Sequence, residues 1–75
     1  GVDPDLLAAL KALRRDLAQE RNVPAYVIFA DATLHDMCRL RPETLDQMAM
    51  VSGVGPKKLE DFGTQFLRAI ARVDA

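Results

Sequence analysis

The spacing of apolar residues predicts a long first helix. Four leucines recur at intervals of four, three and four residues, which places them on one helical face: Leu6, Leu10, Leu13 and Leu17. Asp3 followed by Pro4 is typical of a helix start, because an aspartate caps free amides and proline is tolerated in the first turn. Pro24 disfavours helical geometry at the preceding residue, so we expect the helix to end near Asn22.

The two segments that follow are shorter. Residues 23–29 read V-P-A-Y-V-I-F, which is strand-like in composition, but the chain offers no second strand to pair with them. We therefore predict a buried connector or a short helix there. Asp31 is expected to cap a helix over residues 32–40 that ends before Pro42. The apolar face of this helix consists of Leu34, Met37 and Cys38.

The last third of the chain predicts two more helices joined by a glycine turn. Thr44 and Gln47 have the spacing of a capping box, and a short helix over residues 45–49 follows. Residues 51–55 read V-S-G-V-G, a turn that the glycines make sterically possible. Pro56 then opens a long helix with an apolar face of five residues: Leu59, Phe62, Phe66, Ile70 and Val73.

One glycine lies inside this last helix. Gly63 costs about 1 kcal/mol there relative to alanine, so we expect another backbone to pass close to it or the helix to bend. Taken together, the segments predict an all-α fold. It is a compact five-helix bundle with a helix-hairpin-helix-like Gly-Val-Gly turn at residues 53–55.

The composition describes one small domain. The chain has 75 residues, 49% of them hydrophobic, with no apolar run of about 18 residues and no leader pattern. We interpret residues 1–75 as a single domain without a membrane span. The start at Gly1 rather than Met predicts that this domain is excised from a larger protein. A single cysteine excludes an internal disulfide and favours a reducing, intracellular compartment.

Catalytic and metal chemistry find little support in the sequence. His35 is the only histidine, so a two-histidine metal site cannot be built within the chain. Cys38 follows it by three residues, but a nucleophile and its base also need an orienting group, and the sequence supplies none. We therefore predict no catalytic residue, no metal and no cofactor, with Cys38 in the core and His35 on the surface.

The glycine turn is the strongest candidate for ligand binding. Gly53 and Gly55 let a ligand approach the backbone, and the amides that open the next helix point outward at its positive end. Lys57 and Lys58 add charge to this surface, which suits a phosphate. The alternative is that the turn is only a tight connector with Val54 in the core.

Charge limits the strength of such binding. Ten basic and eleven acidic residues give a net charge of −1, whereas strong sequence-independent nucleic-acid binders carry a basic excess. The basic residues form three groups, and the default expectation for each group is an ordinary solvent-exposed surface. The groups are Lys11 with Arg14 and Arg15, Arg39 with Arg41, and Lys57 with Arg68 and Arg72. Asp61 can pair with Lys57 one helical turn away. Tyr26 is either half-buried core or an exposed ring on which an unpaired base can stack.

Three longer motifs occur in order along the chain. They are N-V-P-A-Y-V-I-F-A-D-A-T-L at residues 22–34, R-P-E-T-L-D-Q-M at 41–48 and V-S-G-V-G-P-K-K-L-E-D-F-G at 51–63. Together they resemble an HRDC domain (helicase and RNase D C-terminal) of the kind found in RecQ-type DNA helicases. The resemblance runs from about Leu6 to Ile70. RNase D carries a related domain, but the glycine-turn motif is more similar to the helicase version.

The resemblance implies an auxiliary module that is not itself catalytic and belongs to an ATP-dependent DNA helicase. Such domains bind single-stranded or partly duplex DNA weakly and tune the choice among DNA structures. The candidate binding residues come from the resemblance, from the turn and from charge clustering, in that order: Tyr26, Lys57 and Lys58; Gly53 and Gly55; Arg39 and Arg41. We expect a monomer in the bacterial cytoplasm or, in a eukaryote, in the nucleus.

An acidic segment before the turn favours a different function. It contains four carboxylates that would repel phosphate: Asp31, Asp36, Glu43 and Asp46. In this alternative the chain is a protein-interaction or regulatory module that docks through its acidic surface on another domain of the same helicase. A third alternative is an accessory domain of an RNase D-like nuclease.

Overall fold

Five helices make up the structure, a computed structural model that describes residues 2–74. They are α1 (Pro4–Arg21), α2 (Ala25–Ile28), α3 (Asp31–Leu40), α4 (Leu45–Met48) and α5 (Pro56–Asp74). No strand occurs between residues 2 and 74, so the predicted all-α fold is confirmed. The predicted domain of residues 1–75 includes Gly1 and Ala75, which lie outside the described residues. None of the described helices is long and apolar enough to cross a membrane.

Both ends of α1 follow the local signals in the sequence. The Asp3 carboxylate accepts hydrogen bonds from the backbone N–H groups of Asp5 at 2.9 Å and Leu6 at 3.3 Å. At the other end Asn22 adopts a left-handed conformation with φ of 55°, and its N–H donates to carbonyls of the last turn. The predicted cap and the predicted end of α1 are both confirmed.

The strand-like segment forms the short helix α2. Of the two predictions for this segment, a buried connector or a short helix, the short helix is confirmed. Ile28 and Phe29 are fully buried, and Phe29 has the extended backbone of a strand residue. Its carbonyl accepts a hydrogen bond of 3.0 Å from Arg14 of α1. A side chain therefore satisfies the backbone group that a partner strand would otherwise have to satisfy.

Helix α3 begins one residue earlier than predicted. Ala30 is the N-cap residue and makes no side-chain cap bond, so the prediction that Asp31 caps this helix is wrong. Asp31 lies in the first turn and forms an ion pair of 2.8 Å with Arg14 instead. The predicted apolar face is confirmed, because Leu34, Met37 and Cys38 are all buried.

Helix α4 carries a modified capping box. The Thr44 hydroxyl accepts from the Gln47 N–H at 3.1 Å, as predicted. The Gln47 side chain reaches back to the N–H of Glu43 at 2.7 Å, one residue before the expected partner. The helix itself ends at Met48, and Ala49 is its C-cap rather than its last residue.

Helix α5 contributes the aromatic centre of the core. Phe62, Phe66 and Ile70 are buried and pack toward α1 and α4. The Phe29 ring meets Phe62 and Phe66 edge to face, with centroid distances of 5.8 and 5.0 Å. These edge-to-face contacts add to the burial energy of the rings.

Gly63 shows the close approach that its place inside α5 predicts. A β-carbon at this position would lie 3.0 Å from methyl carbons of both Leu45 and Leu59. The tight neighbours are therefore side chains of α4 and α5, and not a second backbone as expected. The missing side chain lets α4 pack closely on α5.

Candidate nucleic-acid interface

The glycine turn joins α4 to α5 and is both anchored and exposed. Val51 and Val54 are buried, and the Val54 N–H donates to the Val51 carbonyl at 3.1 Å. Ser52, Gly53 and Gly55 lie at the surface between and beside these anchors. Val54 thus occupies the core, as the connector alternative expected, while the glycines remain accessible.

Residues of helix α3 contact this turn on its buried side and fix its position. The Asp36 carboxylate accepts a hydrogen bond of 2.8 Å from the Ser52 N–H. Thr33 is buried beneath Gly53, and a β-carbon on Gly53 would collide with the Thr33 hydroxyl. Gly53 also has φ of +88°, a conformation that side-chain-bearing residues rarely adopt. The conformation of the turn therefore depends on a glycine at position 53.

Gly55 has a different environment. A β-carbon there would meet no atom within 4 Å, and its φ lies outside the left-handed region. The fold does not require this glycine. Its missing side chain leaves the backbone at the start of α5 open to a ligand.

Several backbone donors around the turn have no partner. The N–H groups of Gly53, Gly55, Lys57 and Lys58 find no hydrogen-bond acceptor within residues 2–74. The last two belong to the first turn of α5, where the helix dipole is positive. This arrangement suits an anion such as a phosphate group.

The two lysines beside the turn differ in their partners. The Lys57 ammonium lies 3.4 Å from an Asp61 carboxylate oxygen, the pair that the sequence spacing suggested, and its side chain is 81% exposed. The Lys58 ammonium lies 5.6 Å from the centre of the Phe29 ring. No carboxylate in the described part of the chain pairs with Lys58.

Tyr26 is the most accessible aromatic residue among those described. It is 71% exposed in α2, which decides between the two interpretations of this residue in favour of the exposed ring. It lies three residues before Phe29, the ring that faces Lys58.

Arg39 and Arg41 are less available than the sequence suggested. The Arg39 guanidinium donates to Asp36 through two nitrogens, at 2.7 and 3.0 Å. Arg41 bridges the two ends of the chain by pairing with Asp3 at 2.8 Å and with Asp74. The carboxylate of Asp74, followed by that of Asp3, raises the pKa of Arg41. The structure thus engages both arginines in internal ion pairs.

Two of the four acidic candidates are also engaged within the domain. The Arg14 guanidinium lowers the pKa of Asp31. The Ser52 N–H, and after it Arg39, lower the pKa of Asp36, whose side chain is only 15% exposed. Glu43 and Asp46 are exposed near the start of α4. The four carboxylates therefore do not act as one uniform acidic surface.

The predicted places of His35 and Cys38 are confirmed. His35 is exposed, Cys38 is buried, and burial raises the pKa of the Cys38 thiol. Both border an open groove along α3. No group of three potential metal ligands occurs among residues 2–74.

Sequence reasoning missed Arg21, the last residue of α1. Its guanidinium carbon lies 4.7 Å from the centre of the Phe62 ring. The one signal in the sequence is its place directly before the motif that contains Tyr26. The contact with Phe62 joins distant parts of the chain and has no local signature.

Comparison with known proteins finds a family model and a solved structure that match this architecture. A family model described as HRDC domain matches residues 3–70. The solved structure of D. radiodurans RecQ HRDC domain 3 has a TM-score of 0.89 and 42% sequence identity, covering 92% of this chain and 91% of that chain.

Curated relatives point the same way. ATP-dependent DNA helicase RecQ of Pasteurella multocida is 43% identical over 68 residues, which are 91% of this chain and 11% of that protein. ATP-dependent DNA helicase UvrD2 of Mycobacterium bovis is 41% identical over 69 residues, which are 92% of this chain and 10% of that protein. The chain spans about a tenth of the length of these curated relatives.

Proposed function

The chain belongs to the HRDC domain family, as its three motifs predicted, and on this premise we propose that it is a non-catalytic accessory domain of a RecQ-type ATP-dependent DNA helicase. In this proposal it binds single-stranded or partly duplex DNA weakly and tunes which DNA structures the helicase selects. The similarity to RecQ helicases supports this choice of parent protein. DNA binding rests on one observation, the exposed glycine turn with its unpartnered N–H groups.

The proposed binding mode uses the backbone first. A phosphate of the strand accepts hydrogen bonds from N–H groups of Gly53, Gly55 and Lys57, at the positive end of α5. The Lys58 ammonium, which lies over the Phe29 ring, adds charge that no carboxylate between residues 2 and 74 pairs with. The ring of Tyr26 stacks on an unpaired base, a contact worth about 1–3 kcal/mol per base.

Weak affinity follows from the small number of contacts. The net charge of −1 gives no long-range attraction for DNA. Two or three phosphate contacts correspond to a dissociation constant on the order of 10⁻⁴ M or weaker, at the low end of non-specific binding. Such a domain acts by changing which DNA structures a larger enzyme selects, while that enzyme already holds the DNA.

The docking alternative finds less support. It requires a free acidic surface, but Asp31 is paired with Arg14 and Asp36 holds Ser52 and Arg39. These intramolecular contacts engage two of the four carboxylates, with the Asp31 side chain still 70% exposed, and leave Glu43 and Asp46 as the free part of the acidic surface. We therefore keep DNA binding as the one proposed function.

The salt dependence of binding tests this proposal. Tyr26 is the only tyrosine and the chain has no tryptophan, so its intrinsic fluorescence reports on the proposed site. We expect a short thymidine oligonucleotide to quench it, with log K falling against log salt at a slope of about −1.5 to −2. Lys58→Gln should reduce the magnitude of that slope by about 0.7, the value of one phosphate contact to a single strand.

Lys11→Gln is the matched control. Lys11 is exposed in the middle of α1 and pairs with no carboxylate in the described residues, so its substitution makes the same charge change on a different helix. Its slope should match that of the unmodified domain. If the unmodified domain shows no quenching at low salt, the proposed function is wrong. If both lysine variants change the slope equally, the turn is not the binding site.

A further inference from the structure

The basic side chains divide into paired and unpaired groups. Of ten lysines and arginines, five form ion pairs within the described chain: Arg14, Arg15, Arg39, Arg41 and Lys57. Two of the remaining five lie over aromatic rings, namely Arg21 over Phe62 and Lys58 over Phe29. The other three are Lys11, Arg68 and Arg72.

The two ring-bound cations contact different rings of one aromatic cluster. The Phe29 and Phe62 rings are in edge contact, with centroids 5.8 Å apart. Lys58 precedes Phe62 by four residues in α5, so the two share a helix face with β-carbons about 5–6 Å apart. Arg21 reaches the same Phe62 ring from α1. Two different helices thus each place one cation on this pair of rings.

The charge at this cluster is not neutralised. An aromatic ring carries no net charge, so a cation held over it remains attractive to an anion, whereas the carboxylate of an ion pair adds a negative charge beside the cation. Asp61 follows Lys58 by three residues, and it pairs with Lys57. Glu60 follows Lys58 by two residues, a spacing at which side chains of a helix do not face each other. Glu20 is adjacent to Arg21 in sequence, but consecutive residues of a helix point in different directions. Neither cation has a carboxylate within ion-pair distance among residues 2–74.

The cluster lies close along the chain to the exposed ring of the proposed site. Arg21 ends α1, and Tyr26 lies on α2 after a short connection. Phe29, the ring beneath Lys58, follows Tyr26 by three residues, a separation of at most about 11 Å along an extended chain. An exposed aromatic ring next to unneutralised cations is the arrangement that binds single strands, because bases stack while phosphates pair.

We propose that Arg21, on the same Phe29–Phe62 cluster as Lys58, binds a second phosphate of the single strand, next to the one that the glycine turn and Lys58 bind. This inference rests on the proposed DNA binding and adds a residue to it. Arg21 then determines the path of the strand, which runs from the turn across Lys58 and Tyr26 to the end of α1. The contact with Phe62 orients the guanidinium before DNA arrives.

Arg21→Gln tests the inference, with Arg72→Gln as its matched control. Both change one exposed arginine to glutamine, and Arg72 lies 14 residues beyond Lys58, or about 21 Å along α5. We expect Arg21→Gln to weaken binding of the thymidine oligonucleotide about threefold to tenfold at low salt and to reduce the salt slope by about 0.7. Arg72→Gln should change neither quantity.

Thermal unfolding of each variant separates binding from folding. Arg21 also lies near the negative end of α1, so its loss lowers stability slightly, but lower stability alone leaves the salt slope unchanged. If the unmodified domain binds and Arg21→Gln retains its affinity and slope, the inference is wrong while the proposed function stands. If the unmodified domain does not bind at low salt, both are wrong.

Discussion

Replacing Phe66 by alanine should lower the free energy of unfolding by about 3–5 kcal/mol. Phe66 is fully buried and its ring lies 5.0 Å from that of Phe29. The substitution removes a large apolar surface from the core and leaves a cavity between α5 and the segment after α2. A domain of this length has a total stability of about 4–11 kcal/mol, so the variant should lose a large part of its stability and unfold at a clearly lower urea concentration.

Urea denaturation followed by circular dichroism measures this loss, and Met50→Ala serves as the control. Met50 is 77% exposed, so its truncation should change the free energy of unfolding by less than about 0.5 kcal/mol. If Phe66→Ala cost no more than Met50→Ala, the described aromatic core would be wrong. Both variants are measured in the same buffer without a ligand, so the difference in their free energies of unfolding reports on the fold alone.

Gly53→Ala should cost about 1–3 kcal/mol of folding free energy and abolish DNA binding at the turn. The φ of +88° is unfavourable for alanine, and the added methyl group collides with the buried Thr33 hydroxyl. The turn must therefore shift away from α3. Its N–H groups would no longer converge on one phosphate.

Gly55→Ala separates these two effects. Since a β-carbon at Gly55 meets no protein atom within 4 Å and its φ is ordinary, alanine should be neutral or stabilising by up to about 1 kcal/mol. The same methyl group stands where the ligand would approach, so binding should still weaken. Urea denaturation and oligonucleotide titration of both variants test the contrast. Equal stabilities of the two variants would contradict the assigned roles of the glycines.

Much of the fold could be predicted because its signals are local. The ends of α1 depend on Asp3 and Asn22, which act within a few residues of themselves. The apolar face of α5 repeats at helical spacing; Phe62, Phe66 and Ile70 are buried as expected, while Leu59 and Val73 at its two ends are partly buried. The prediction for Asp31 failed because a tertiary ion pair with Arg14 competes with the capping role, and a local pattern cannot reveal such a partner.

The candidate site was only partly predictable for the same reason. Arg39 and Arg41 appear as a basic cluster in the sequence, but the Arg41 partners Asp3 and Asp74 lie 38 and 33 residues away. The place of Arg21 depends on the Phe62 ring in another helix. The glycine turn and Tyr26 were identifiable because a motif carries them as a unit. Their surroundings are set by packing between helices.

The backbone amides at the start of α5 are the centre of this account, and nuclear magnetic resonance observes them directly. A ¹H–¹⁵N spectrum recorded during titration with a short thymidine oligonucleotide at low salt should show the amides of Gly53, Gly55 and Lys57 shifting together. Added salt should reverse those shifts. Amides that stay unmoved at saturating oligonucleotide, or that move only in parts of the domain remote from the turn, would contradict the account.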